Sequence, residues 1–360
     1  MIMRYKINPL VYLYYNPQEQ GLTFVDPVTK RHFLLENDWF FEFIRFAKKE
    51  RTLNELFYFL DKNKKHTQSL NRSILQDLID QNVLVKAKGK DMVSKLNKVR
   101  EEWADKGWLS AFYYHLYSRD YPFLDYSKRD HSVKDYKLME NYRKKWPPPS
   151  NYKDYPKNKL LKLTVDKKLL ESLLFNPRHS KETYGILDQK SLSILLYLTF
   201  GQISSIEFPV LGEAIHKTSP SGAARHPSEA YLFLLKKNDL PAGVHHYSVR
   251  HHGLELLKTD INAEVIREIF FQLNHFPDFD PKAIIVITSL FEKSMWRYRE
   301  PRSFRVIFFD IGHLIATART VGEALGLGLV IGDGFEDRKV KKILGLKGYG
   351  EQPFNFIALI

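Results

Sequence analysis

Cysteine is absent from all 360 residues. Without a thiol there is no disulfide, no thiolate nucleophile and no Cys-bearing zinc or iron–sulfur site. A reducing compartment suits such a chain, and the cytoplasm is the expected location. Long apolar runs are missing too. The longest, near Ile194–Leu198 and Ala283–Ile287, fall far short of the roughly 18–20 residues of a membrane span. The opening MIMRYKINPLVYLYY has neither a long apolar stretch nor a small-residue cleavage site, so no signal peptide and no membrane partner are expected. No G-x-G-x-x-G follows an expected strand, so any NAD(P)H would visit the protein rather than own a dinucleotide domain.

Charge of one sign is not gathered into a block. The net charge is +13, yet residues 1–150 carry 27 basic against 19 acidic side chains and residues 151–360 carry 28 against 23. Interleaved charge of this kind argues for a basic, solvated surface and against a nucleic-acid stripe. An acidic peptide or a phosphate-bearing cofactor suits it equally well. With 44% apolar and 27% charged residues the chain reads as globular, long enough for two domains.

Residues 1–90 read as strands followed by helices. Leu22–Val25 and His32–Leu35 flank a turn-rich Asp26–Lys30, which predicts a hairpin. Asn37 or Asp38 would cap a helix through Phe40 and Phe43, Thr52 with Glu55 forms a capping box for a second, and Ser69 precedes a third. A DNA-binding helix-turn-helix is the alternative, but only Arg72 and Gln76 of the third helix look placed to read bases. Residues 91–155 read as a helical and Pro-rich connector ending in Trp146-Pro147-Pro148-Pro149, a domain joint. Residues 156–360 carry the chemistry.

Four stretches stand out there. Arg178 and Ser180 offer a guanidinium fork and a hydroxyl suited to phosphate. Ser219-Pro220-Ser221-Gly222-Ala223-Ala224-Arg225-His226-Pro227-Ser228-Glu229-Ala230-Tyr231 is a rigid loop running into a strand. His245, His246, His251 and His252 lie in a predicted hairpin with no recognisable ligand set, so no metal is expected. Trp296-Arg297-Tyr298 follows a buried-looking strand, and Phe308–Ile315 opens a helix leading to Gly328 and Gly332.

The 219–231 string resembles the signature of the SagB/ThcOx branch of the nitroreductase-like flavoenzymes, "Ser-Pro-Ser-Gly-Gly-Ala-Arg-His-Pro-x-Glu-Ala-Tyr", with Ala223 for the second glycine. Gly243–Tyr247, Asp310–His313, Ala324–Gly328, Gly334–Asp337 and Leu344–Leu346 follow the same family. The resemblance implies an α+β fold, a nitroreductase-like sheet wrapped by helices, and FMN held by Arg178, Ser180, Ser219, Pro220, Ser221, Gly222, Arg225, Gly328 and Gly332. It also implies a homodimer whose apolar tail, Phe354–Ile360, packs on the partner subunit. The family's lysine is replaced by Arg297, which stays charged and can clamp but not act as a base, leaving Tyr298 as the candidate proton handler. Residues 1–90 resemble a winged-helix-like, PqqD-like peptide-recognition domain, which implies that residues 20–85 bind the leader of a ribosomally made precursor peptide by strand addition. Association with other peptide-modifying enzymes is implied as well. The expected activity is FMN-dependent azoline-to-azole dehydrogenation. An NAD(P)H-driven reductase of dehydroamino acids and a flavin-free peptide-binding scaffold are the alternatives.

Overall fold

Turn chemistry builds the first sheet. Asp26 Oδ1 accepts hydrogen bonds from the backbone of Val28 (2.9 Å) and Thr29, and Lys30 takes a left-handed φ of 60°. These close the predicted hairpin between β3 (Gly21–Asp26) and β4 (Arg31–Leu35), in the register Leu22 to Leu35 and Val25 to His32. The computed structural model describes every residue except 1, 36–38, 64–66, 89–91, 126, 176–186, 236–239, 260 and 262. The chain forms two compact units, 1–121 and 122–360.

In the first unit, β2 (Tyr12–Asn16) completes an antiparallel β2-β3-β4 sheet, so β4 is an edge strand. A second small sheet places β1 (Arg4–Ile7) between β5 (Arg51–Thr52) and β6 (Leu84–Lys86). Helices α1 (Trp39–Ala47), α2 (Leu53–Asn63) and α3 (Gln68–Asp80) close the core around Phe43, Leu56, Leu60 and Leu75. The capping box at α2 is present: Thr52 N donates to Glu55 Oε2 at 2.7 Å and Glu55 N to Thr52 Oγ1 at 3.2 Å. Helix α3 starts earlier than expected, capped by Thr67 rather than Ser69. The expected cap at Asn37 or Asp38 lies outside the described residues. Helices α4 (Met92–Asp105) and α5 (Leu109–Ser118) also belong here, where Phe112 and Leu116 pack on Leu10. The segment read as a connector is therefore divided between the two units.

The second unit begins with α6 (His131–Lys145) and a strap, residues 146–155, leading to β7 (Leu160–Lys162). Then follow α7 (Lys167–Phe175), α8 (Gln189–Phe200), the hairpin β8 (Ser204–Phe208) and β9 (Gly212–His216), β10 (Ser228–Leu234), β11 (Gly243–Ser248) and β12 (Gly253–Lys258). Next come α9 (Ala263–Ile269), β13 (Ala283–Leu290), α10 (Phe291–Met295), α11 (Phe304–Ala324), β14 (Leu329–Gly332), α12 (Asp337–Leu344) and β15 (Glu351–Leu359). Seven strands pair antiparallel in the order β14-β15-β13-β10-β11-β12-β7. Strand alternation sends Ala230, Leu232, Ile285 and Ile287 to a core under α8 and α11, and Tyr231, Phe233, Ile284 and Val286 to one under α9 and α12. This is the α+β architecture expected of the chain.

The apolar tail corrects one expectation. Residues 354–360 were expected to cover a partner subunit; instead β15 lies between β13 and β14 of its own sheet, with Phe356, Ile357, Ala358 and Leu359 fully buried. A seven-residue apolar strand is satisfied more cheaply by an open sheet position in its own chain than by a second molecule. Among the described residues no helix is long and apolar enough to cross a membrane.

Candidate active site

The loop before β10 is held left-handed without glycine. Ala223 (φ 48°), Ala224 (φ 52°) and His226 (φ 42°) all occupy the region that disfavours side chains. Internal hydrogen bonds hold it there. Ser221 Oγ donates to Asp310 Oδ2 (2.6 Å), Gly222 N donates to Asp310 Oδ1 (3.1 Å), and His226 N donates to Ser221 Oγ (2.9 Å). Ser219 Oγ donates to Thr317 Oγ1 at 2.7 Å. A Cβ at Gly222 would overlap Val306 of α11, so that glycine is required for close packing. Burial raises Asp310 above the usual carboxylate range, with the Ser221 and Gly222 hydrogen bonds pulling the other way.

The second half of the same string does something else. Glu229 and Tyr231 are buried in the sheet as members of a charged network. Lys293 Nζ donates to Glu229 Oε1 at 2.7 Å and to the Asn151 carbonyl at 3.0 Å. His246 lies between two carboxylates, Nδ1 at 2.8 Å from Glu255 and Nε2 at 3.3 Å from Glu229. Tyr231 Oη donates to Glu351 Oε1 (3.0 Å), which also accepts from Thr288 (2.7 Å), while Lys153 pairs with Glu351 Oε2. Burial would push Glu229 up, but Lys293 and His246 outweigh it and hold it down at about 2. Burial likewise opposes the charge on His246, and the two flanking carboxylates win and raise its pKa. The strap is pinned to this network: Tyr155 N donates to Glu255, Ser248 Oγ and Arg250 to Asp154, and Trp296 Nε1 to the Trp146 carbonyl.

Two hollows are lined by the loop and a third lies along α10 and the start of α11. The smallest, about 10 Å³, is lined by Lys217, Ser219, Pro220, Ser221, His226, Ser228 and Asp310. A second, about 410 Å³, lies against α6 and holds Arg225 and Arg297. The third, about 520 Å³, has Tyr298 among Phe291, Met295 and Phe304. The structure therefore brings Ser219, Pro220 and Ser221 together but sends Arg225 to a different hollow. Arg297 and Tyr298 open on different hollows. Arg297 is committed to Asp135 by two hydrogen bonds from Nη2 (2.9 and 2.7 Å).

Gly328 and Gly332 flank or end β14, the sheet edge three strands from β10; at Gly332 a Cβ would overlap the Gln272 side chain, whose Oε1 accepts from Asp333 N and Gly334 N. Arg178 and Ser180 lie outside the described residues. The four histidines separate. His245 meets the Pro241 carbonyl, His246 the network, and His252 the Tyr247 hydroxyl at 2.7 Å and Ser193 at 2.9 Å, while His251 is exposed. Among the described residues no group of three or more His, Asp or Glu is arranged to hold a metal.

Lys217 was missed from sequence. It lies at the end of an exposed hairpin, where a lysine is ordinarily a solvated charge. Among the described residues its ammonium has no hydrogen-bond partner, and burial lowers its pKa to about 8, with Lys293 adding to the effect and Glu229 opposing it. Only the proximity of Ser228 and His226, fixed by the fold, makes it notable.

In the first unit a groove of about 280 Å³ runs beside the free edge of β4, walled by Phe33, Leu34, Trp39, Ile74 and Leu78.

Residues 203–359 match the family model described as Nitroreductase family. A trifolitoxin-processing protein, TfxB, of Rhizobium leguminosarum bv. trifolii is 31% identical over 231 residues, 60% of this chain and 61% of that protein. A protein named as a nitroreductase from Methanocaldococcus jannaschii is 26% identical over 182 residues, covering 50% of this chain and 86% of its own. Among solved structures, a nitroreductase from Anabaena variabilis superposes with a TM-score of 0.51 at 22% identity, over 69% of this chain and 45% of that one. The match thus spans under two thirds of the Rhizobium and Anabaena proteins. Residues 203–359 are thus similar to nitroreductase-family domains, and the sheet wrapped by helices is the nitroreductase-like fold.

Proposed function

We propose that this chain is an FMN-dependent oxidoreductase that modifies a ribosomally synthesised precursor peptide, azoline-to-azole dehydrogenation being the most direct reading. The observation that carries it is the 219–231 loop, whose sequence resembles the SagB/ThcOx signature, standing within the stretch matched by the nitroreductase-family model and held in strained geometry between β10 and α11. Identity of 31% to a protein named for trifolitoxin processing supports a peptide substrate.

The residues around the loop suit a flavin's polar edge. Among the described residues Ser228 Oγ is buried without a partner beside the Lys217 ammonium, two donors facing one hollow. That hollow admits no more than about one water, so the ring would lie in the open space beyond it. When bound, FMN supplies hydride transfer. The protein's part is orientation and proton handling. Tyr298, half-buried in the apolar hollow of α10 and α11, is assigned the proton, because a phenol both donates and accepts. Arg297 is assigned a positioning role: its charge is committed to Asp135, and its guanidinium stacks 5.0 Å over the Tyr298 ring. NAD(P)H remains a proposed hydride donor, for the reductive version of the reaction.

We assign the groove beside β4 to the precursor's leader. A free strand edge next to an apolar trough offers main-chain hydrogen bonds and side-chain pockets together. A homodimer is proposed through α11, where Phe304, Phe308 and Phe309 expose an aromatic stripe. Purified protein should carry the flavin absorbance bands. Colourless protein that ignores added FMN would leave the scaffold reading standing. Tyr298→Phe should cut turnover by about 10²–10⁴-fold at unchanged flavin content; near-full turnover would move the proton role elsewhere, to His226 or His313.

A further inference from the structure

We infer that the hollow between α6 and the 219–227 loop is a carboxylate-binding subsite in which Arg225 anchors an acidic group of the substrate peptide. The inference rests on the peptide-modifying reading above, and it adds a requirement on the substrate's chemistry.

Arg225 is more than nine-tenths buried. Its Nε donates to the Ala223 carbonyl at 3.0 Å, but Nη2 is buried with no partner. A buried guanidinium lacking a counter-charge is costly to keep, and a site that retains one is prepared for an anion. The neighbouring cation does not relieve it, because Arg297 has its own carboxylate in Asp135. Arg225, Arg297 and Asp135 line this hollow, two cations against one carboxylate. One monoanion balances the second cation.

The donor set favours a carboxylate over a phosphate. Phosphate sites are typically built from free backbone N–H groups and hydroxyls. Here four of the loop's amides are spent: Gly222 N donates to Asp310 Oδ1, Ala224 N to the Ser221 carbonyl, Arg225 N to the Gly222 carbonyl and His226 N to Ser221 Oγ. The hydroxyls of Ser219 and Ser221 face away, onto Thr317 and Asp310. Beside the hydroxyls of Ser132 and Tyr136, Arg225 offers the hollow a planar fork, the natural partner of a planar carboxylate. The walls are apolar, with Met139, Phe208 and Leu211, and at about 410 Å³ the hollow is of ligand size.

The carboxylate has two sources, an Asp or Glu side chain or the peptide's C-terminus. The test uses the full chain and three probes: N-acetyl-aspartate α-amide with only the side-chain carboxylate free, N-acetyl-phenylalanine with only the C-terminal carboxylate free, and inorganic phosphate. Calorimetric titration should show one carboxylate probe binding, and which one identifies the source. Arg225→Gln should weaken that probe about tenfold or more while FMN content and the FMN-to-riboflavin preference stay unchanged. Arg225→Lys should restore part of the affinity. Binding of phosphate alone, loss of FMN but not riboflavin in Arg225→Gln, or carboxylate binding indifferent to the substitution would each overturn the inference. Flavin-free protein that still binds the carboxylate through Arg225 would instead count against the oxidoreductase reading and leave this subsite in place.

Discussion

The string 219–231 contains two regions of opposite character. In its second half every charge is answered: Glu229 meets Lys293 and His246, and Tyr231 meets Glu351. In its first half Arg225 is left with an unanswered donor beside strained backbone, and Lys217, two residues before the string, is buried close by. A recognisable signature therefore need not be uniformly a site. Part of it serves the sheet, and only the part with unspent donors is available for chemistry.

Substitutions on the two sides should have opposite signs. Glu229→Ala strands Lys293 and His246 in the interior and should destabilise the protein by about 3–5 kcal/mol, read as a drop in urea midpoint. An unchanged midpoint would show that water reaches the network. The pH response comes next. Glu229 is held down at about 2, so its contribution is present above about pH 4.5 and lost as pH falls toward 2. His246 is raised, so its contribution is full below about pH 6.5 and lost as pH rises through its folded value. Thermal midpoints should peak between these limits, and His246→Gln should flatten the alkaline flank while leaving the acid flank steep. On the other side, Arg225→Met removes an unanswered charge and should stabilise the unliganded chain by about 1 kcal/mol. Destabilisation instead would mean that Nη2 is satisfied in solution. The smallest effect is expected at Ala223→Gly, where relief of a left-handed φ should add at most about 1 kcal/mol to stability.

Much of this architecture was legible because it is local. The hairpin at Asp26–Lys30, the Thr52–Glu55 box and the strand after Pro227 depend on residues near each other in sequence. The site was legible only as a string. That Arg225 leaves Ser219 and Ser221, and that Arg297 is bound by Asp135 some 162 positions away, depends on where α6 packs. The tail was misjudged for the same reason: apolarity predicts that Phe354–Ile360 is covered, but not by what. Lys217 gave no sequence signal, since its environment comes from the turn before β10 and from α11.

The strap has a consequence for how the second unit is made. Lys153 reaches Glu351 across 198 residues, Lys293 reaches the Asn151 carbonyl across 142, and Tyr155 reaches Glu255 across 100. During synthesis residues 146–155 emerge long before the strand that holds Glu351, so the earliest part of this unit must wait for the last. Contacts of such sequence separation are slow to close. Until β15 arrives, Glu229 and Glu255 have carboxylates bound for a sheet interior that does not yet exist. A nascent chain cut short of residue 351 would lack both β15, which joins β14 to β13, and the carboxylate that tethers Lys153. Assembly of this domain is thus a late, nearly all-or-none event, and premature termination within its last ten residues should yield an aggregation-prone chain rather than a slightly shortened enzyme.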